Sequence, residues 1–191
     1  TTKIITPYPH TVELGHIQPA DLTHDQKKQI QEIVTKAIKA LGINNSATHT
    51  ELKITSEGFK IIEIGARLGG DYISSHLTLA STGVNMDKAA IQVALGLEPR
   101  IEQDTFSYSY IKYLILPVGA RITGLGNWIE IIEDTHVVHA NVNIKKGDII
   151  SPIADSAKRS GFVLVKGNDK INVVEKAEQS IEKLKSYIKL S

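Results

Sequence analysis

Residues 49–71 read HTELKITSEGFKIIEIGARLGGD, and this stretch decides which fold the rest of the chain can form. Two runs rich in apolar and β-branched residues, 49–55 and 59–64, flank Ser56-Glu57-Gly58. A three-residue loop with glycine last is a favoured hairpin connection, because glycine adopts the left-handed conformation there. The stretch therefore predicts two antiparallel strands followed by a glycine-rich loop over residues 65–71.

The predicted hairpin brings two carboxylates together. A loop centred on Glu57 pairs Thr55 with Phe59, and counting outward places Glu51 directly opposite Glu63. Like charges directly opposite each other destabilise a hairpin. We therefore expect a positively charged partner to offset the two glutamates.

A divalent cation is one such partner, since Mg²⁺ is commonly held by one or two carboxylates plus substrate phosphates. Arg67 follows Glu63 by four residues and precedes a Gly-Gly pair that lets a ligand approach the backbone closely. Acid residues beside an arginine suggest phosphate chemistry, in which the arginine stabilises charge in the transition state. The alternative is that both glutamates are exposed and paired with lysines such as Lys53 and Lys60.

The flanking sequence predicts further elements. Residues 1–20 are rich in Pro, His and Gly and indicate an extended segment or loop. Thr23 and Gln26 match a capping box, which predicts a helix from Thr23 that ends at Gly42. After the hairpin we expect a helical stretch over about 74–80, and then a helix capped by Asn85 that runs through Leu97.

Beyond Pro99 the pattern changes to short strands. We expect strands over 108–118, 120–123, 128–132, 137–144 and 161–165. A closing helix is expected with Asn172 as its cap. Its expected apolar stripe consists of Val173, Ala177, Ile181, Leu184 and Ile188. The predicted class is α+β, with one part over residues 1–98 and a β-rich part with a terminal helix over residues 99–191.

Composition excludes several functions. The 191 residues carry 22 basic and 21 acidic side chains, a balance that argues against a nucleic-acid partner. With no cysteine, a disulfide scaffold, a Cys-ligated zinc site and a thiol nucleophile are excluded. No apolar run approaches ~18 residues and the start is not a signal peptide, so we expect a cytoplasmic protein with no membrane partner. Because the chain starts at Thr1 rather than Met, we expect a processed or excised piece.

Three segments, 49–53, 63–71 and 82–85, resemble the last third of an ATP-grasp domain. Their spacing is that of the carboxylate–amine ligase branch, which includes the L-amino acid ligases. Residues 13–22 resemble the segment before the long helix of that branch. The resemblance covers about residues 8–98, and the remainder is more weakly similar to the small domain that follows. It implies the C-terminal half of an ATP-grasp domain, an antiparallel sheet with helices, and then a small β-rich domain.

The resemblance also implies a function. ATP-grasp ligases activate a carboxylate as an acyl phosphate, which an amine then attacks. Glu51 and Glu63 match the carboxylates that hold Mg²⁺ or Mn²⁺ against the ATP phosphates, and Arg67 matches the catalytic arginine. The positions that match the substrate pocket are His16, Gly70 and Asp71. The implied ligands are ATP, a small carboxylate, and an amine or amino acid.

The sequence departs from the family in two respects. Many ATP-grasp enzymes carry Asn where this chain has Gly65, so the number of metal ions stays open. The family's adenine pocket and ATP-binding lysines lie on an earlier part of the domain. We therefore expect the chain to be the C-terminal portion of a ligase, inactive without the N-terminal part. The alternative is a stand-alone, non-catalytic module that binds a ligand or partner and can self-associate through an unpaired sheet edge.

Overall fold

The computed structural model describes residues 1–191. The strands are β1 (Thr2–Ile5), β2 (Glu13–Gln18), β3 (His49–Thr55), β4 (Gly58–Gly65), β5 (Tyr108–Tyr113), β6 (Ile122–Leu125), β7 (Val137–Val142), β8 (Gly161–Gly167) and β9 (Ile188–Leu190). The α-helices are α1 (His24–Ala40), α2 (Thr78–Thr82), α3 (Met86–Ala94) and α4 (Lys170–Ser186). A π-helical turn spans Ile73–Leu77, and short 3₁₀ helices span Trp128–Glu133 and Ser156–Lys158. The predicted α+β class is confirmed.

The chain forms two compact units. We call residues 1–19, 80–82 and 105–191 the five-stranded unit, and residues 20–79 and 83–104 the hairpin unit. These units are defined by contacts, so the division at residue 98 into two domains stays a prediction. No helix of either unit has the length and apolar character that crossing a membrane requires.

The five-stranded unit is built on an antiparallel sheet in the order β1-β2-β5-β8-β7. Its core is closed by α4, whose apolar stripe of Val173, Ala177, Ile181 and Leu184 is fully buried. Burying a side chain of this size contributes about 1.5–3 kcal/mol. The predicted stripe of the closing helix is therefore confirmed over most of its length.

The prediction for residues 1–20 was incomplete, because half of this segment forms β1 and β2. β2 pairs with β5, a strand about ninety residues further along the chain. Gly15 permits this pairing, since a Cβ there would lie 2.8 Å from the carbonyl oxygen of Ile111. The sequence around β2 does not indicate a pairing with a strand as distant as β5. The segment therefore resembles a loop when the sequence is considered alone.

Three further expectations for the five-stranded unit were wrong. Residues 128–132 form a 3₁₀ helix rather than a strand, because Trp128 and Ile131, three residues apart, both pack on the core. Asp169 caps α4 by accepting a hydrogen bond from the backbone N–H of Asn172 at 2.8 Å, so the helix begins one turn earlier than predicted. The last residues form β9, paired with β6, instead of extending the helix.

The hairpin unit begins with α1. Its predicted capping box is confirmed: the Thr23 hydroxyl accepts from the backbone N–H of Gln26, and the Gln26 side chain accepts from the Thr23 N–H. Helix α1 packs on β4 of the two-stranded β3–β4 sheet. Asn85 caps α3 as predicted, although α3 ends at Ala94, three residues before Leu97.

Candidate active site on the β3–β4 hairpin

Glu51 on β3 lies directly opposite Glu63 on β4, as the spacing predicts. The route to this pairing differs from the prediction. The connecting loop has two residues, so Thr55 pairs with Gly58 rather than with Phe59. A β-bulge then adds one residue to β4 between the partners of Leu52 and Glu51. The bulge restores the predicted register for the two glutamates.

The two glutamates have different cationic or polar neighbours. One guanidinium nitrogen of Arg67 lies 3.3 Å from Glu63 Oε1, and another donates to the carbonyl of Leu68 at 2.9 Å. His49 Nε2 lies 3.3 Å from Glu51 Oε1. The alternative, in which lysines pair with the two glutamates, does not hold for Lys60. Its ammonium group pairs with Glu57 at 3.2 Å.

The face of the hairpin that carries the glutamates also carries two lysines. Lys53 lies opposite Lys60, and Lys53 is two residues beyond Glu51 on the same strand. Residues two apart on a strand share a face and are about 6.6 Å apart. An acidic pair and a basic pair are therefore adjacent on one side of the hairpin.

Gly65 marks the place where this chain departs from the ATP-grasp pattern. It lies opposite His49, on the same face as the two glutamates. A Cβ at residue 65 would lie 3.2 Å from Cγ and 3.3 Å from Nε of Arg67. The arginine side chain thus occupies the space that an asparagine at position 65 would need.

The loop after Arg67 leads into the π-helical turn. Asp71 and Tyr72 both have positive φ, 51° and 61°. Such conformations cost of order 1–3 kcal/mol for residues other than glycine and cluster at functional sites. Gly70, in contrast, has nothing within 4 Å of a Cβ position. The backbone of the loop is therefore strained at Asp71 and Tyr72, whereas the space beside Gly70 is open.

His16 belongs to the five-stranded unit, whereas the other predicted site residues belong to the hairpin unit. Its side chain is only 1% exposed. The ring stands edge-on to Tyr113, with centroids 6.3 Å apart. Arg159 stacks on the Tyr113 ring, with its guanidinium carbon 3.8 Å from the ring centroid. The substrate-binding role of His16 stays a prediction, as do those of Gly70 and Asp71.

The donor set of the hairpin fits a divalent cation. Two carboxylates face each other on a partly exposed surface, and no group of three or more acidic or histidine side chains forms a closed cage. Mg²⁺ demands octahedral oxygen coordination, and usually takes one or two carboxylates together with substrate phosphates. Glu51 and Glu63 match this type of ligand, and their role in holding a metal ion stays a prediction.

His49 is the residue that the sequence analysis missed. It lies on the same face as Glu51 because it precedes that residue by two positions on a strand. This two-residue spacing was the available signal. The pattern matches the His-x-Glu of zinc deaminases, but these need a cysteine partner that this chain lacks, so the sequence alone predicts a structural role for His49.

Sequence profiles of two families match the chain. The profile of the ATP-grasp domain matches residues 1–75, and that of the L-amino acid ligase C-terminal domain 2 matches residues 112–189. The chain is therefore similar to an ATP-grasp domain over its first part and to the L-amino acid ligase branch over its last part. These matches confirm the resemblance identified from the sequence. ATP-grasp enzymes in general use ATP together with Mg²⁺ or Mn²⁺.

Three of the curated relatives that the chain matches are named as ligases or synthases. It is 41% identical to the alanine–anticapsin ligase of Bacillus subtilis over 66 residues, covering 34% of this chain and 14% of that protein. It is 30% identical to dapdiamide A synthase of Enterobacter agglomerans over 133 residues, covering 66% and 31%. For human carnosine synthase 1 the values are 31% over 96 residues, 50% and 12%. The chain thus spans well under half the length of each of these relatives.

Solved structures agree in fold. The L-amino acid ligase of Bacillus licheniformis superposes with a TM-score of 0.73 at 25% identity, covering 94% of this chain and 44% of that one. The phosphoribosylglycinamide synthetase of Anaerococcus prevotii superposes with a TM-score of 0.79 at 20% identity, covering 99% and 48%. The second likeness shows the fold alone. Together they confirm the predicted ATP-grasp architecture.

Proposed function

We propose that this chain supplies the metal-binding carboxylates and the catalytic arginine of an ATP-dependent carboxylate–amine ligase. The observation that carries the proposal is the pairing of Glu51 with Glu63, with Arg67 in contact with the second of them. Similarity to the L-amino acid ligase branch supports the same reaction class.

The proposed reaction has two steps. A substrate carboxylate oxygen attacks the γ-phosphorus of ATP, which forms an acyl phosphate and releases ADP. An uncharged amine then attacks the carbonyl carbon, and its nitrogen loses one proton to the phosphate or to water. The tetrahedral intermediate expels phosphate to leave an amide. A bound Mg²⁺ or Mn²⁺ ion would neutralise charge on the phosphate oxygens.

Arg67 is suited to respond to the developing charge. Its guanidinium group has five N–H donors that match phosphate oxygens. Its ion pair with Glu63 is exposed on both sides, 55% and 53%, and such pairs contribute only about 0–1 kcal/mol. Arg67 can therefore leave Glu63 and contact a phosphate with little loss of free energy from the broken ion pair. Lys53 and Lys60 add positive charge to the same face for the outer phosphates.

The proposed substrates are ATP, a small carboxylate, and an amine or amino acid. Gly70 and Asp71 of the hairpin unit are proposed substrate-binding residues, and so, separately, is His16 of the five-stranded unit. Gly70→Ala tests the pocket sharply, because the open space at this position accommodates a methyl group without disturbing the fold. We expect unchanged thermal unfolding but a raised KM for the substrate whose backbone approaches the loop. An unchanged KM for every substrate would remove Gly70 from the pocket.

The catalytic roles are tested by Glu63→Ala and Arg67→Ala in a protein that joins these residues to an ATP-binding part. We expect each change to lower kcat/KM at least a hundredfold, because Glu63→Ala removes a ligand of the metal ion and Arg67→Ala removes the cation that stabilises developing phosphate charge. Glu57→Ala is the matched control, since it removes an exposed glutamate of the same hairpin that pairs only with Lys60 among the described ion pairs. Activity within a few-fold of the parent in either test variant would contradict the proposal.

The 191 residues alone should show no ligase activity and at most weak ATP binding. Robust ATP hydrolysis by this chain would contradict that expectation.

The binding-module alternative is favoured by one observation, the two-stranded β3–β4 sheet, whose outer edges can accept another strand. Sedimentation velocity distinguishes the two hypotheses. A concentration-independent monomer would argue against self-association through this edge.

A further inference from the structure

His49 lies between the acidic pair and the glycine loop. On one side of its ring, Nε2 lies 3.3 Å from Glu51 Oε1. An ionised carboxylate can only accept hydrogen bonds, so this contact requires a proton on Nε2. The side chain is 16% exposed, and the ring is therefore held mainly by protein atoms.

On the other side of the ring, Nδ1 faces Gly69. A Cβ at position 69 would lie only 2.9 Å from Nδ1, which is closer than real Cβ atoms approach other atoms. Gly69 is itself fixed, because its backbone N–H donates to Ser74 Oγ at 2.8 Å and Ser74 is buried at the start of the π-helical turn. The imidazole ring therefore lies between Glu51 and the backbone of Gly69, which its hydrogen bond to Ser74 holds in place.

We propose that His49 is a positioning residue for the metal-binding carboxylate: it holds one oxygen of Glu51 and braces the carboxylate against the Gly69 backbone. This inference rests on the proposed function, since it assigns a role only if Glu51 holds a cation. Hydrogen bonds to ligating carboxylates orient them, and loss of such a partner typically costs about 10–100-fold in metal affinity. Glycine at position 69 then allows the ring to stay in this place, because a methyl group there would push the ring away from Glu51.

A purely structural role for His49 makes a different prediction. If the ring only fills space, a phenyl ring of similar shape should replace it without affecting a cation. His49→Phe keeps the ring and removes the donor, whereas His49→Gln keeps an N–H near the position of Nε2 and removes the ring. The two variants therefore separate hydrogen bonding from packing.

The test is a Mn²⁺ titration of the 191-residue chain, followed by paramagnetic broadening of the backbone amide signals of residues 50–52 and 62–64. We expect His49→Phe to raise the apparent Kd for Mn²⁺ about tenfold or more, and His49→Gln to stay within about threefold of the parent. His24→Phe is the matched control, an exposed histidine at the start of α1 in the same unit, and should change nothing.

Gly69→Ala provides a second variant that leaves His49 intact. We expect it to weaken Mn²⁺ binding in the same direction, because the added methyl group displaces the ring. This variant keeps the test decisive if His49→Phe fails to fold, which its thermal unfolding curve would show.

The outcomes distinguish this inference from the function on which it rests. If Glu51→Gln abolishes the local broadening while His49→Phe and Gly69→Ala bind Mn²⁺ within twofold of the parent, the positioning role is wrong and the metal site stands. If Glu51→Gln leaves the broadening at residues 50–52 unchanged, the proposed metal site itself is wrong.

Discussion

Glu51 and Glu63 face each other across the β3–β4 ladder although the loop between their strands is one residue shorter than the spacing predicts. The β-bulge in β4 compensates for the missing loop residue. In a regular ladder from the same two-residue loop, Glu51 would face Ile62, and Glu63 would project from the opposite face. The bulge is therefore what places both carboxylates on one side.

Deletion of Ile62 tests this relationship. Removing the extra residue makes the ladder regular while Glu51 still faces Glu63, so we expect Mn²⁺ affinity within about twofold of the parent. The measurement is the Mn²⁺ titration of the 191-residue chain. Loss of binding in the Ile62 deletion would show that the bulge shapes the site directly.

Glu63→Gln should separate stability from metal binding. The change removes repulsion between facing carboxylates, worth about 0.2–1 kcal/mol, and also the exposed Arg67 ion pair, worth about 0–1 kcal/mol. We therefore expect the free energy of unfolding without metal to change by less than about 0.5 kcal/mol. The stabilisation that 10 mM Mg²⁺ gives the parent should be lost, which thermal unfolding with and without Mg²⁺ measures. A variant that keeps this stabilisation would contradict the assignment of Glu63.

Gly65→Asn should restore the metal ligand that many ATP-grasp enzymes carry at this position. The new side chain must displace Arg67, whose Cγ lies 3.2 Å from the Cβ position, and it adds an oxygen ligand beside Glu63. We expect Mn²⁺ to bind the 191-residue chain a few-fold more tightly. Gly65→Ala crowds Arg67 equally but adds no oxygen, so it serves as the control. Equal affinities in the two variants would mean that the oxygen at position 65 does not reach the ion.

Tyr110 should make the five-stranded unit sensitive to alkaline pH. Burial, and to a smaller extent the negative charge of Glu178, raise the pKa of Tyr110 to about 12, against 10 in the unfolded chain. Because the pKa is raised on folding, this contribution to stability is complete below pH 10 and is lost as the pH rises toward 12. The expected slope is at most about 1.4 kcal/mol per pH unit. Denaturant unfolding between pH 9 and 12 measures it.

Tyr110→Phe should flatten that slope, whereas the control Tyr8→Phe, at a side chain that is 90% exposed, should leave it unchanged. The same slope in Tyr110→Phe and the parent would assign the alkaline instability to another group.

Local signals in the sequence predicted those features that local interactions decide. The capping box at Thr23 and the Asn85 cap depend on residues three positions apart, and both are observed. The facing glutamates were predicted correctly for an incomplete reason, because the shorter loop and the bulge cancel. The 3₁₀ helix at Trp128 was not predicted, since its apolar pattern fits a strand equally well and only packing on the core distinguishes the two.

The sequence by itself determined the resemblance to ATP-grasp ligases, the α+β class, and the pairing of Glu51 with Glu63 close to Arg67, because these depend on residue identity and short spacing. Only the tertiary structure decided that β2 pairs with β5 and that Arg67 fills the space beside Gly65. It alone placed His49 between Glu51 and Gly69. Such relationships join segments that are distant along the chain or depend on a register. They are set by backbone hydrogen bonding and close packing, which no local pattern of residues records.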